Sequence, residues 1–398
     1  MRLGNGRRRG WAAGLVALGV ALAACGPAAS QAPGQPPNSG GSTPAQPPNS
    51  GIAPAQAPNT AGSAPAQPAN PAGSAAAAPG SPAAAGATAR PAPEAVTVSW
   101  VNSLTIAPFF VAADRGYFEE QGIDLKLEQV QSAADAIAFL ATGQLDASFG
   151  AVAVALYNAI NQGLNVRVAA PIAYDNPELL VRKALWDSGA VRTIPDLRGR
   201  QVYTVAPGSG VAYLRIKTLQ LAGLSDDEVE HVSVALPDAP LAMTNGAIDA
   251  AFFPEPWHTR VLTQGIAVVL DDHPLPNEVL TITAMAGARL LRERTDLGGR
   301  WATALLKGIR DMQSRDQIMS DDTVAIMARW TGLQPDVLRQ MRHLPRFDPN
   351  YTVDGESLLD QQRVHMAAGA ISYTQPLPLD QIVDPRLAEY AVQQLGRK

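Results

Sequence analysis

From Val96 onward, apolar and polar positions follow two alternating rhythms. Val96 to Val101 predicts a strand, Pro108 stands where a first helical turn tolerates proline, and Gly116 and Gly122 supply stops on either side of Tyr117 to Gln121. Ile123, Leu125 and Leu127 alternate with Asp124, Lys126 and Glu128, a period of two and so a strand. Ser132 with Asp135 is a capping-box variant that predicts a helix closing at Gly143, and Leu145 to Phe149 reads as the next short strand. The grammar then repeats. Gln201 to Val205 predicts a strand, and Pro207-Gly208-Ser209-Gly210 a tight turn into a helix that ends at Gly223. Ser225 with Glu228 is a second capping box, followed by a strand over His231 to Ala235. Beyond about Leu280 the pattern turns mostly helical, with amphipathic stretches near Leu290, Trp301 to Met312, Thr323 to Trp330 and Val337 to Met341. Strands alternating with helices predict an α/β fold whose parallel or mixed sheets are covered on both faces.

An internal echo bears on the number of lobes. Thr142-Gly143-Gln144-Leu145-Asp146-Ala147 and Asn245-Gly246-Ala247-Ile248-Asp249-Ala250 each join a helix stop to a short strand marked by an acid. The order of the flanking elements matches as well, which predicts two similar α/β lobes, with the late helices packed on the first.

Composition separates this region from what precedes it. Gly26 to Pro93 holds 16 of the 33 prolines, 22 alanines, one large aliphatic residue (Ile52) and one charge (Arg90), so it cannot bury a core and is expected to be disordered. Before it, Arg2 and Arg7 to Arg9 lead into an apolar run from Trp11 to Ala24, too short to span a bilayer comfortably but suited to a signal peptide. Leu22-Ala23-Ala24-Cys25 follows and resembles the bacterial lipobox, whose cysteine is lipidated. Cys25 is the one cysteine, which excludes a disulfide framework and a Cys-rich metal site. The expected organisation is a signal peptide over 1–24 and a lipid anchor with a Pro/Ala-rich tether over 25–93. The first part of lobe 1 follows over 94–180, lobe 2 over 181–276, and the return to lobe 1 with the C-terminal helices over 277–398. The part from Glu94 onward carries 26 basic and 36 acidic groups, which argues against a nucleic-acid partner.

Three stretches together resemble a known family: Ala107-Pro108-Phe109-Phe110-Val111-Ala112-Ala113-Asp114-Arg115-Gly116-Tyr117-Phe118, then Glu120-Gln121-Gly122-Ile123-Asp124, then Ala141 to Asp146. They are similar to the opening of the nitrate, sulfonate, taurine and thiamine-precursor substrate-binding proteins of ABC importers. Asp196 to Arg200, Gly246 to Ala250 and Glu255-Pro256-Trp257 are similar to that family's second-lobe signatures. The resemblance implies a periplasmic-binding-protein fold of the second type, two lobes joined by hinge crossovers near Asp175 to Val181 and near Asn277 to Thr283. It further implies a monomeric, exported, lipid-anchored receptor that hands a small solute to a permease and its ATPase. Alternatives are a ligand-sensing receptor of the same fold, or an enzyme resembling the pyrimidine synthases. The latter carry a cysteine-rich iron motif that Cys25 alone cannot supply.

In open α/β sheets, ligands sit beyond the C-terminal strand ends, where helix starts present free amides. Candidate ligand contacts are therefore Asn102, Ser103, Thr105 and Pro108 at the first junction and Gly150 and Ala151 at the second. Gly208, Ser209 and Gly210 mark the third, and Phe109, Phe110 and Tyr174 would form a stacking wall. Glu255 and Trp257 complete the set. Glu255 either meets a ligand bearing N–H donors or caps the helix that begins at Pro256, and Trp257 either lines the cleft or packs in the lobe. There is no G-x-S-x-G elbow, H-E-x-x-H pair or P-loop lysine, and His231, His258, His273, His343 and His365 lack metal-ligand spacing. Neither catalysis nor a cofactor or metal is expected.

Overall fold

A computed structural model describes residues 92–398, apart from 101–102, 131–132 and 272–273. The expectations on the signal peptide, Cys25, the tether, Asn102, Ser132 and His273 lie outside the described residues.

Two five-stranded sheets organise the chain. The first holds β1 (Glu94–Trp100), β2 (Ile123–Gln129), β3 (Ala147–Gly150) and β4 (Arg167–Asp175). The second holds β5 (Leu179–Arg182), β6 (Gln201–Thr204), β7 (Glu230–Ser233), β8 (Ala250–Ala251) and β9 (Ala267–Asp271), after which β10 (Val279–Ala286) returns to the first. Strand order is β2-β1-β3-β10-β4 in one sheet and β7-β6-β8-β5-β9 in the other. The orders correspond place by place: three parallel strands, then a fourth antiparallel to both its neighbours. In each lobe that fourth strand, β10 or β5, is the one that has just arrived from the other lobe.

The sequence echo has a physical counterpart. Asp146 donates its N–H to the Thr97 carbonyl (2.8 Å), and its carboxylate accepts the Thr97 N–H (2.8 Å) and the Arg289 guanidinium (2.8 Å). Asp249 does the same with Gln201 (2.8 and 3.3 Å) and Arg182 (2.7 Å). Both acids are buried, at 6% and 2% exposed, and each ties the third strand in the order of its sheet, β3 or β8, to the second, β1 or β6, before regular pairing begins. A buried carboxylate needs such partners, which explains why the acid recurs at the same place in both lobes.

Covering helices supply the core. The helices Ala107–Asp114, Thr295–Arg310 and Asp321–Thr331 bury one face of the first sheet through Phe109, Phe110, Phe149 and Trp301. The helix Gly355–Ala367 touches both lobes: Ser357 and Gln361 bond the backbone of Leu280, while Asp360 accepts from Tyr213 (3.0 Å) and Lys217.

The mostly helical reading beyond Leu280 misses β10, and the crossover expected over Asn277 to Thr283 overlaps it. Val279-Leu280-Thr281-Ile282-Thr283-Ala284-Met285-Ala286 is buried on both faces, and Leu280, Ile282 and Ala284 alternate with Thr281 and Thr283, a period of two that the helical reading passes over. The first crossover, between Asp175 and Leu179, lies within the expected span, and the second falls before β10, between Asp271 and Val279.

Candidate ligand cleft

Beyond the ends of β3 and β6 the lobes meet, and two of the glycine-marked junctions touch. Val154, the first residue of the helix Val154–Asn161, donates its N–H to the Gly208 carbonyl at 2.9 Å. A Cβ on Gly208 would lie 2.8 Å from Val154 Cγ2, and one on Gly210 would lie 2.9 Å from the Ala151 methyl. Neither glycine can gain a side chain while the lobes stay together, and Gly208 also has φ 73°, the left-handed region glycine favours. Gly150 is buried at the end of β3, and Thr283 lies over its carbonyl (3.4 Å). The structure thus brings Ala151 and Val154 against Gly210 and Gly208, with lobe–lobe contact as the reason for these two glycines.

Hydroxyls stand at the second-lobe junction and after β1. Ser209 caps the helix Gly210–Leu221 by accepting the Ala212 N–H (3.2 Å), leaving Gly210 and Val211 half-buried at the helix start, where amides lack intrahelical partners. Ser103 and Thr105 share a hydrogen bond (2.8 Å), and both are half-buried.

The aromatic wall is corrected. Phe109 is 0% exposed, ringed by Phe110, Phe118, Phe149 and Trp330 with its nearest ring centroid 4.6 Å away, and Phe110 stacks on Trp330. Pro108 is buried beside them, its carbonyl against Gly308. A helix that follows a strand lays its apolar side on the sheet, so these residues are core. Tyr174 is also buried; its hydroxyl donates to the Thr352 carbonyl and accepts the Asp354 N–H (2.9 Å) under the Arg346 guanidinium. Burial pushes its phenol up to about 12. Trp257 is half-buried against the second-lobe core, with Arg260 over its ring.

Glu255 resolves in favour of capping. It is 6% exposed, and its carboxylate accepts the Thr259 hydroxyl (2.7 Å) and N–H (3.1 Å), as well as the N–H groups of Arg342 and His343 (3.2 Å each). Burial would raise its pKa, but hydrogen bonds from His258 and Thr259 outweigh that and hold the carboxyl below the usual range. Its neighbours were not legible in the sequence. His258 bonds Glu178 (2.8 Å), and His343 bonds Asp175, a residue 168 positions away. Among the described residues, no group of three or more His, Cys, Asp or Glu side chains could hold a metal ion, and no helix is long and apolar enough to cross a membrane.

Comparison with known proteins agrees with this architecture. A curated aliphatic sulfonates-binding protein of Escherichia coli (strain K12) is 23% identical over 160 residues, 40% of this chain and 48% of that protein. The match thus spans about half the length of the curated relative. Among solved structures, the alkanesulfonate-binding protein SsuA from Xanthomonas axonopodis pv. citri, bound to MOPS, superposes with a TM-score of 0.60 at 15% identity, covering 74% of this chain and 100% of that one. The periplasmic nitrate-binding protein NrtA from Synechocystis PCC 6803 gives 0.62 at 12% identity, with 76% and 89% covered. These likenesses establish the two-lobed periplasmic-binding-protein fold. The model of the NMT1-like family matches residues 89–294, more than half of the sequence, and the chain therefore belongs to that family.

Proposed function

We propose that the protein is an extracytoplasmic solute-binding lipoprotein that traps a small solute between its lobes and delivers it to an ABC permease and its ATPase. The observation that carries this reading is the meeting of strand ends from two matched lobes, with Val154 bonded to Gly208 across the cleft. Binding with hinge closure, rather than catalysis, is what such an arrangement performs. The chain would work as a monomer at the outer face of the cytoplasmic membrane. Residues 1–24 would direct export, the lipid on Cys25 would hold it there, and the segment to residue 93 would act as the tether.

The ligand class follows from Glu255. A free carboxylate at the lip would repel an anion, but this one is saturated by donors of its own chain. What remains for a ligand is the start of the helix Gly210–Leu221 and the hydroxyls of Ser103, Thr105 and Ser209, a set of donors suited to an oxyanion such as a sulfonate or nitrate. The sulfonate and nitrate named for its relatives point the same way.

Thermal shift and calorimetry with butanesulfonate, taurine, nitrate and a pyrimidine precursor test this. An oxyanion at 100 times its Kd should stabilise the fold by about 2.7 kcal/mol. Stabilisation by the pyrimidine alone would overturn the anion assignment. Cys25→Ser should release the protein from membranes; retention after a salt wash would refute the anchor.

A further inference from the structure

Five ionisable side chains from four segments meet where the chain passes between lobes. Asp175 ends β4, Glu178 lies in the first passage, and Glu255 and His258 flank the start of the helix Trp257–Thr263. His343 comes from the segment between the helices Pro335–Arg339 and Gly355–Ala367. His258 Nε2 is 2.8 Å from Glu178, and its Nδ1 is 3.5 Å from Glu255. His343 Nε2 bonds the Asp175 carboxylate, and the two imidazole rings lie 5.8 Å apart. Glu255 also accepts the N–H groups of Arg342 and His343, so second-lobe groups are bonded directly to the first-lobe segment. His258, Glu255 and Asp175 are 2%, 6% and 9% exposed.

Three carboxylates thus face two imidazoles in a space with little water. With the His343 ring neutral, up to three negative charges stand together; with it protonated, a positive charge lies among them. Nearby, Arg346 is engaged by Glu278 and does not neutralise the cluster.

We propose that this cluster is a proton-held latch: the lobes remain together while His343 carries a proton beside Asp175, Glu178 and Glu255, and separate more readily as that proton leaves. The inference rests on the reading that the lobes move against each other. The behaviour of His343 agrees with it. Burial works to lower its pKa, but the Asp175 hydrogen bond and the charges of Glu178 and Glu255 outweigh burial and raise it above the ordinary 6.5. The Asp175 hydrogen bond lies within the first lobe, so the part of the rise that favours lobe contact comes from Glu178 and Glu255; that stabilisation is present in full below the pKa of the separated state and is lost as pH rises through the raised value.

The test needs no ligand, so it is independent of the sulfonate and nitrate assays. In the full chain carrying Cys25→Ser, spin labels at Lys126→Cys in the first lobe and Leu241→Cys in the second report the interlobe distance by pulsed electron resonance. Between about pH 6 and pH 9, a range that spans histidine titration, the longer-distance population should grow. His343→Gln, at a partly exposed site that should tolerate the change, should show one distribution at every pH. Asp175→Asn provides a second readout: the His343 ring resonance should titrate at lower pH than in the parent. A distance distribution independent of pH in the parent, a pH response that survives His343→Gln, or an unmoved His343 titration in Asp175→Asn would each overturn the proposal.

Discussion

Gly210→Ala isolates lobe closure from folding. Gly210 is the first residue of its helix and its φ is not positive, so alanine suits its backbone and favours the helix by up to about 1 kcal/mol. In the closed arrangement, however, the added methyl would stand 2.9 Å from the Ala151 methyl, against the roughly 3.5–4.0 Å at which carbon atoms pack. Ala151 has no side-chain rotation by which to escape, so the lobes must give way. Overpacking of this kind costs about 1–3 kcal/mol, and here the cost falls on the closed state alone. The closed-to-open ratio should drop roughly five- to 150-fold, with apparent ligand affinity falling by up to the same factor as the competent fraction shrinks. Ala151→Gly in the same chain should restore closure. Gly208→Ala is the informative contrast: it meets Val154 at 2.8 Å and also forces alanine to φ 73°, which costs about 1–2 kcal/mol in open and closed states alike. The assay is interlobe distance measurement beside urea unfolding. Gly210→Ala should open the lobes with an unchanged or raised unfolding midpoint, and Gly208→Ala should open them with a lowered one. If Gly210→Ala closes as readily as the parent, the contact between Ala151 and Gly210 does not form in the working protein, and the cleft geometry argued from it fails.

Further outcomes are expected. Phe109→Ala should lose about 3–5 kcal/mol of unfolding free energy, as for any large ring removed from a packed core; a loss under 1 kcal/mol would return Phe109 to the cleft. Asp249→Asn, which leaves Arg182 without its carboxylate, should cost about 1.5–3 kcal/mol by urea denaturation, and a neutral result would deny the clamp its structural role. His365 is fully buried, and burial followed by the charge of Arg215 lowers its pKa to about 4. Because the unfolded chain takes up this proton near 6.5 and the folded one does not, stability should decline as pH falls between those values, by up to ~3 kcal/mol. His365→Leu should flatten that decline, and an identical pH profile would refute the assignment.

Much of the lobe architecture was written locally. Ile123, Leu125 and Leu127 gave β2 its period, Gly143 and Gly223 stopped their helices, and the paired Asp146 and Asp249 marked equivalent positions because each must satisfy a buried carboxylate in the same way. Elements governed by distant partners were not legible. The strand β10 does alternate, Leu280, Ile282 and Ala284 with Thr281 and Thr283, but its partners β3 and β4 lie more than a hundred residues earlier, and only the pairing with them sets it apart from the amphipathic helices that follow. Phe109 and Tyr174 have residue types found equally in clefts and cores, and only the rings and carbonyls around them decide between the two. The two uses of Glu255 stayed open for the same reason, since Thr259 is near in sequence but Arg342 and His343 are not.

The placement of β10 also dictates an order of assembly. The second sheet is built entirely from residues 179–271, an uninterrupted stretch, and can complete its pairing as soon as that stretch is available. The first sheet cannot: β4 is held in it only through β10, more than a hundred residues later, so β4 has no strand partner until the second lobe has passed. A chain that emerges from its N-terminus therefore finishes its second lobe before its first, and the first lobe must keep an apolar strand exposed in the interval. This late closure postpones the point at which the whole molecule becomes committed to its native form.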